Sequence, residues 1–357
     1  MNRFSQNIIN LHDYTLRHIQ LSQMCGSPVL FRERYQILRI LGRGGFGITF
    51  LAKDVILSET HLCVIKQLYP RVTKPKSWQK ACQRFEKEAK ILAQLGSHSQ
   101  IPMLLDYFEC NGEFYLVQEY VHGHTLAREV RRNGKKNELE VKLFLREILP
   151  VLNYVHQNRV IHRDIKPQNL LRCQDDQRIV LIDFGAVKEK LVDTYGNSVN
   201  KSVSTNFIGT NGFAPPEQLS LRPVYASDIY ALGITCIYLL TGKGPLDFEH
   251  DLRTGEICWQ KEVSISNDFA QVLKKMVKVS LAGRFKSAKD VIIALGWGSN
   301  SSNLSNCLTQ QPLQNQNINS SEPSQIYTSP VTRAAMAIRK LKAKQNPFNS
   351  YHDFTPL

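Results

Sequence analysis

The feature that most constrains this chain is a glycine cluster set between two runs of alternating apolar and polar residues, YQILRILGRGGFGITFLAK over residues 35–53. Alternation with period two on both sides is the pattern of half-buried strands, so Gly42-Arg43-Gly44-Gly45-Phe46-Gly47 reads as the tip of a β-hairpin. A G-x-G-x-x-G that opens a dinucleotide-binding unit runs from strand into helix, whereas Ile48-Thr49-Phe50-Leu51-Ala52 reads as strand. The sequence holds no G-x-x-x-x-G-K-[ST] loop either. Residues without Cβ let backbone N–H groups approach phosphate oxygens, so a hairpin of this kind suits a flap over a nucleotide.

The periodicity then changes along the chain. A strand-like run over His61–Tyr69 is followed by a helical stretch, Trp78–Leu95, with Phe85, Ala89, Leu92 and Leu95 at spacings of three and four. Leu104–Tyr107 and Phe114–Val121 return to strand character, and from Leu143 the pattern is helical, over Leu143–His156, Ser227–Thr241 and Asp268–Val279. The expected organisation is a polar N-terminal extension, 1–33, a strand-rich domain with one long helix, 34–120, and a helical domain, 121–296. The stretch 297–357 is rich in Asn, Ser and Gln and is expected to be disordered, because it cannot bury enough apolar surface to offset ordering entropy. Within it, 331–344 places Val331, Ala335, Ile338 and Leu341 on one face among bases. It reads first as a solvated segment and otherwise as a short basic helix that docks on an acidic partner, since a helix of about 14 residues is marginal alone.

With 42% apolar residues the chain can bury a substantial core. Its longest apolar run, Ile229–Leu240, falls short of the roughly 20 residues needed to span a bilayer. No transmembrane segment or export signal is expected, and a cytoplasmic site follows. The eight cysteines form no C-x-x-C pair, which argues against a zinc ribbon or a thioredoxin-type site. The net charge of +14 admits acidic or phosphate-rich partners. Its densest stretch, Arg128, Arg131, Arg132, Lys135 and Lys136, reads as a solvated helix end and turn; no aromatic residue is interleaved for base stacking, so nucleic acid is not expected as a partner.

Phosphoryl transfer from ATP needs a backbone cradle, a cation on the phosphates, magnesium ligands and a group that orients the acceptor hydroxyl. Lys66 closes the apolar strand Cys63-Val64-Ile65 and suits the cation, with Glu88 on the following helix as its ion-pair partner; Glu86 is the rival, two residues away on another side of the helix. The sharpest signal is Ile161-His162-Arg163-Asp164-Ile165-Lys166-Pro167-Gln168-Asn169, followed by Asp183-Phe184-Gly185. Carboxylates and a carboxamide are hard donors suited to magnesium and a hydroxyl, and Lys166 adds a second cation near the transferred group.

With these residues in this order, the chain resembles the protein kinase family from about Tyr35 to Leu295, roughly three-quarters of its length. The resemblance implies an α+β, two-lobed fold, with a small mainly antiparallel β lobe and a larger mainly helical lobe. It implies Asp164 as the catalytic aspartate, Lys166 on the γ-phosphate, Lys66 and Glu88 as the phosphate cation and its partner, and Asn169 and Asp183 on Mg²⁺, with Mn²⁺ admissible. The nucleotide positions it implies are Leu41, Gly42, Arg43, Gly44, Gly45, Phe46, Gly47, Ile48, Thr49, Val64, Lys66, Gln118, Glu119 and Val121. Thr49 and Val64 stand where the family usually has Val and Ala, and Gln118 stands in the gatekeeper position.

The resemblance extends to Gly209-Thr210-Asn211-Gly212-Phe213-Ala214-Pro215-Pro216-Glu217, with Glu217 expected to pair with Arg284, and to Asp228, expected to anchor the catalytic loop. D-I-K-P-Q-N and Gly209-Thr210 are similar to serine/threonine kinases, and GGFGITFLAKD, CVIKQLYP and FAPPEQ to the bacterial branch of eukaryotic-type kinases. The implied activity is that of a non-specific serine/threonine protein kinase acting on protein substrates in signalling. Thr194, Ser198, Ser202, Ser204 and Thr205 make the loop 183–217 a candidate for autophosphorylation, with Arg163 able to dock a phosphate bidentately. Two alternatives are a nucleotide-binding scaffold that recruits through its basic tail and a kinase of small molecules.

Overall fold

The computed structural model describes residues 20–44, 47–57, 61–69, 75–96, 98–185, 188–189 and 212–297. Gly45 and Phe46, the hydroxyl-bearing residues from Thr194 to Thr205, Gly209-Thr210-Asn211 and the tail with its segment 331–344 lie outside the described residues. The chain divides into two compact units. One takes in the described residues up to Ala81 with Met103–Tyr120, the other Cys82–Pro102 and the described residues from Val121 on.

The first unit is built on a six-stranded antiparallel sheet of β1 (Leu30–Phe31), β2 (Tyr35–Gly44), β3 (Gly47–Asp54), β4 (Leu62–Leu68), β5 (Leu104–Cys110) and β6 (Glu113–Glu119). Their order is β1-β2-β3-β4-β6-β5. The glycine cluster is the β2–β3 hairpin, with Gly44 opposite Gly47. Any Cβ at Gly47 would collide with the carbonyl oxygen of Gln67, so the close approach of β3 to β4 requires glycine there.

Directly opposed residues share a sheet face, so the registers sort the side chains. Ile48, Phe50, Ala52, Cys63, Ile65, Tyr115 and Val117 fall on one face and form the core of this unit. Thr49 stands opposite Lys66 and Lys66 opposite Leu116; Val64 stands opposite Gln118. These residues fall on the other face.

Residues 1–33 read from sequence as a polar extension, yet their described part, 20–33, supplies Leu21 and Phe31 to the same core. The Phe31 ring lies 4.9 Å from that of Tyr115, and the Gly26 N–H donates to the Ile37 carbonyl at 2.9 Å. Helix α1 (Gln20–Gln23) presents Leu21, which has no exposed surface.

Helix α2 (Pro75–Leu95) passes from the first unit into the second. The second unit holds α3 (Leu126–Asn133), α4 (Glu138–Gln157), α5 (Pro216–Leu219), α6 (Tyr225–Thr241), α7 (Asn267–Met276) and α8 (Ala288–Ala294). A small sheet of β7 (Gly123–Thr125), β9 (Leu170–Cys173) and β10 (Ile179–Leu181) and a pair of β8 (Val160–Ile161) with β11 (Lys188–Glu189) complete it. The start of α4 lies well before the expected Leu143. Asn137 and Glu140 form a reciprocal capping box there, which satisfies two backbone donors and fixes the first turn. Helix α6 is apolar all round and nearly wholly buried, as a central helix must be. Its buried polar exceptions, Ser227, Asp228 and Thr235, all have hydrogen-bond partners, and the first two serve the site.

Candidate active site

The first unit brings four of the expected nucleotide residues onto one sheet face: Thr49, Val64, Lys66 and Gln118. Thr49 and Lys66 are half-buried, while Val64 and Gln118 are buried. Gly42 stands opposite Thr49 and Arg43 opposite Ile48, with Leu41 the extra residue where the β2–β3 register shifts. Ile48 is set apart from this group. It lies on the opposite face, in the core, because period two turns it away from its neighbour Thr49. The carboxamide oxygen of Gln118 is buried and accepts no hydrogen bond among the described residues. The Glu119 N–H donates to the Met103 carbonyl at 2.9 Å, whereas Val121 belongs to the second unit, in a small cluster with Cys173 and Val180.

In the second unit the loop between β8 and β9 carries the sharpest sequence signal. Lys166 Nζ lies 2.7 Å from Asp164 Oδ2. Asn169 Nδ2 donates to the same oxygen at 2.9 Å and to the Asp164 backbone carbonyl at 2.8 Å. The three side chains therefore form one hydrogen-bonded group. With its nitrogen occupied by Asp164, the Asn169 amide has its oxygen left for a cation.

The loop is held from below by a buried carboxylate. Asp228 is fully buried and accepts from the backbone N–H groups of His162 and Arg163, each at 2.8 Å, and bonds His156 Nε2 at 2.9 Å. Burial alone would push its carboxyl up. The His156 hydrogen bond and charge, the His162 ring and the backbone donors outweigh burial and hold it below the usual carboxylate value. Arg163 adopts φ +69°, in the left-handed region that costs a non-glycine residue about 1 kcal/mol or more. Asp228 on its N–H and Gln218, which donates to its carbonyl at 2.6 Å, keep it there. Burial pushes His162 down, and its Nδ1 accepts the Asp164 N–H at 3.3 Å.

Asp183 is exposed and also has a positive φ, +66°, and the adjacent Ile182 N–H donates to the Asn169 carbonyl at 2.9 Å. Phe184 is buried with its ring 4.8 Å from that of His162, edge on. Glu88 is buried beside Gly185, where an added Cβ would lie 3.1 Å from its carboxylate oxygen. Glu86, its rival, is exposed and pairs with Lys90 at 2.6 Å. Lys66 belongs to the first unit and Glu88 to the second.

The expected scaffold pair forms. Arg284 Nη1 lies 2.6 Å from Glu217 Oε1, and its other donors reach the carbonyls of Ala226, Lys278 and Val279.

The sequence pattern of the protein kinase domain matches residues 35–292. The chain belongs to the protein kinase family. It is 51% identical to serine/threonine-protein kinase B of Synechocystis over 286 residues, 80% of this chain and 50% of that protein. It is 45% identical to serine/threonine-protein kinase PknA of Nostoc over 271 residues, 75% of this chain and 48% of that one. Against serine/threonine-protein kinase PrkC of Bacillus subtilis the identity is 34% over 218 residues, 60% of this chain and 32% of that protein. The chain thus spans about half the length of the first two. These likenesses put it in the bacterial branch of eukaryotic-type serine/threonine kinases, with the two-lobed α+β kinase fold.

Three residues of this candidate site escape a reading of the sequence: His156 on Asp228, Gln218 on the Arg163 carbonyl, and Ser227, whose hydroxyl donates to Glu217 at 2.8 Å. Gln218 and Ser227 each adjoin a residue the motifs single out. His156 has no local signal, since it lies on the last turn of α4 and reaches Asp228 only through the fold. Among the described residues no helix is long and apolar enough to cross a membrane.

Proposed function

We propose that this chain is an ATP-dependent serine/threonine protein kinase whose catalytic aspartate is Asp164. The observation that carries the reading is the joint hold on that residue: Lys166 and Asn169 on its carboxylate, and Asp228 on the loop that presents it. Asp164 orients the acceptor hydroxyl and receives its proton. The hydroxyl oxygen forms the new bond to the γ-phosphorus while the bond to the β-phosphate oxygen breaks, and ADP leaves. Lys166 neutralises charge on the transferred group, Lys66 is assigned the α- and β-phosphates, and Glu88 is assigned as its counter-charge. Asn169 and Asp183 offer the hard oxygen donors that would hold Mg²⁺ or Mn²⁺, which would supply neutralisation of phosphate charge. Thr49, Val64 and Gln118 line the face assigned to the adenine.

Protein substrates bearing Ser or Thr, autophosphorylation within 183–217, a cytoplasmic location and an acidic partner for 331–344 belong to the same reading. The test is incubation of the purified chain with labelled Mg-ATP, with phosphosite mapping. Labelling of serine and threonine that Asp164→Asn abolishes supports it. Absence of labelling of the chain and of a general protein substrate, alike in wild type and Asp164→Asn, refutes it.

A further inference from the structure

Away from the catalytic loop, the second unit contains a cavity of about 250 Å³ between α3, α4, α6 and β9. Its apolar lining is Leu126, Phe144 and Leu239, all nearly fully buried, with Leu143 half-exposed at its rim. One turn before Leu143 on the same helix, Leu139 is 67% exposed. Spacing of four residues stacks these two leucines on one face of α4. The cavity is smaller than the roughly 300–1,000 Å³ of small-molecule sites, so it accommodates an apolar side chain better than a whole ligand.

The charges around it point to the rest of the occupant. Charged residues also line it, and they are matched among themselves: Lys136 Nζ lies 2.8 Å from Glu129 and 3.1 Å from Glu140, while Arg172 lies 3.4 Å from Glu129 and 3.6 Å from Glu147. What remains is positive. Arg128, Arg131, Arg132 and Lys135, on α3 and the turn after it, are exposed and make no ion pair among the described residues. Arg128 and Arg132 are one turn apart, and Arg132 lies one turn from the lining residue Glu129. Cations in the last turn complement the helix dipole, which accounts for Arg131 and Arg132 but not for Lys135 beyond the helix or Arg128 near its start.

We propose that this corner of α3 and α4 docks an acidic segment of a protein substrate that carries a bulky apolar residue. The apolar side chain enters beside Leu143, and the acids lie along Arg128, Arg132 and Lys135. The proposal rests on the protein-kinase reading for its substrate and adds a recruitment site that the transfer chemistry does not use. Nucleic acid fits less well, because a bare polyanion has no use for the leucines and the stretch offers no aromatic residue for stacking.

The test measures binding by fluorescence anisotropy on the full chain, with two labelled peptides of equal charge, one of Glu and Leu and one of Glu and Ser. Phosphorylation of dephosphorylated casein, an acidic protein, is followed in parallel. The Glu/Leu peptide is expected to bind more tightly. Arg128→Glu/Arg132→Glu/Lys135→Glu and Leu139→Ser/Leu143→Ser are each expected to weaken it on the order of tenfold. Both variants should raise KM for casein while leaving kcat and autophosphorylation unchanged. Equal binding of the two peptides, or loss on charge reversal alone with heparin competing equally, would show a bare polyanion surface and overturn the proposal. Binding that responds as expected in a chain that phosphorylates nothing would sustain the docking site and refute the kinase reading instead.

Discussion

Replacing Asp228 with Asn tests whether one buried carboxylate organises the catalytic loop. Its two oxygens serve three partners, the N–H groups of His162 and Arg163 at 2.8 Å and His156 Nε2 at 2.9 Å. An Asn of the same shape keeps one oxygen and sets an NH₂ where the other stood. At least one charge-assisted hydrogen bond is lost, about 1.5–3 kcal/mol, and one buried N–H faces a donor, costing about 1–3 kcal/mol more. The sum is about 2.5–6 kcal/mol, which brackets the roughly 3–5 kcal/mol of breaking a buried charged pair. For a body of this size that is a fall in Tm on the order of 10 °C.

The loss is also local. Freed from Asp228, Arg163 can relax from φ +69°, and Asp164 moves with it. Misplacement of a reacting group by about 1 Å is enough to lower kcat roughly a hundredfold. Calorimetry gives the first number, amide exchange at His162 and Arg163 the location, and steady-state kinetics the last. A Tm within about 2 °C of wild type, with those two amides still protected, would refute the assignment of Asp228 as the anchor.

Three further outcomes follow from the same geometry. His162 is buried with its pKa depressed, so the unfolded chain binds the proton more readily; stability is whole above the unfolded value near 6.5 and falls as pH drops below it, by up to about 1.4 kcal/mol per pH unit. His98, also depressed by burial but partly exposed, adds in the same direction more weakly, and urea unfolding from pH 7 to 5 of wild type and His162→Gln measures the difference. Arg284→Met leaves Glu217 without its 2.6 Å partner and is expected to cost about 3–5 kcal/mol, with Glu217→Gln/Arg284→Met losing less than the sum of the single changes in the same unfolding assay. Leu21→Ala should cost about 3 kcal/mol of stability by urea unfolding, and a cost below about 0.5 kcal/mol would show that residues 20–33 are not part of the core.

The sequence makes legible whatever depends on near neighbours. The glycine hairpin follows from period two on either side of residues 42–47, and the grouping of Asp164, Lys166 and Asn169 from their closeness in one loop. The Glu217–Arg284 pair, 67 residues apart, was within reach only through resemblance to a family. Other features had no such handle. Leu21 and Phe31 are isolated apolar residues in a polar stretch, and only the partners brought by the sheet, Tyr115 among them, make them core. Ile48 looks like part of the nucleotide flap because it follows the glycines, yet the pleat turns it inward.

The same distinction explains why Asp164 can be found in the sequence while its control cannot. Its motif names the residue, but the fold supplies its setting from three separate elements: Gln218 on the Arg163 carbonyl, Asp228 on the Arg163 N–H, and His156 on Asp228. Each of these acts at the backbone of the residue before the aspartate, or one step removed from it. A loop clamped at both its N–H and its carbonyl beside a left-handed residue has little freedom to reorient its carboxylate. Substitutions at His156 or Gln218 should therefore lower kcat with little change in KM for the nucleotide, as expected of positioning residues that do not touch it. A change in nucleotide KM at constant kcat would instead place them in binding.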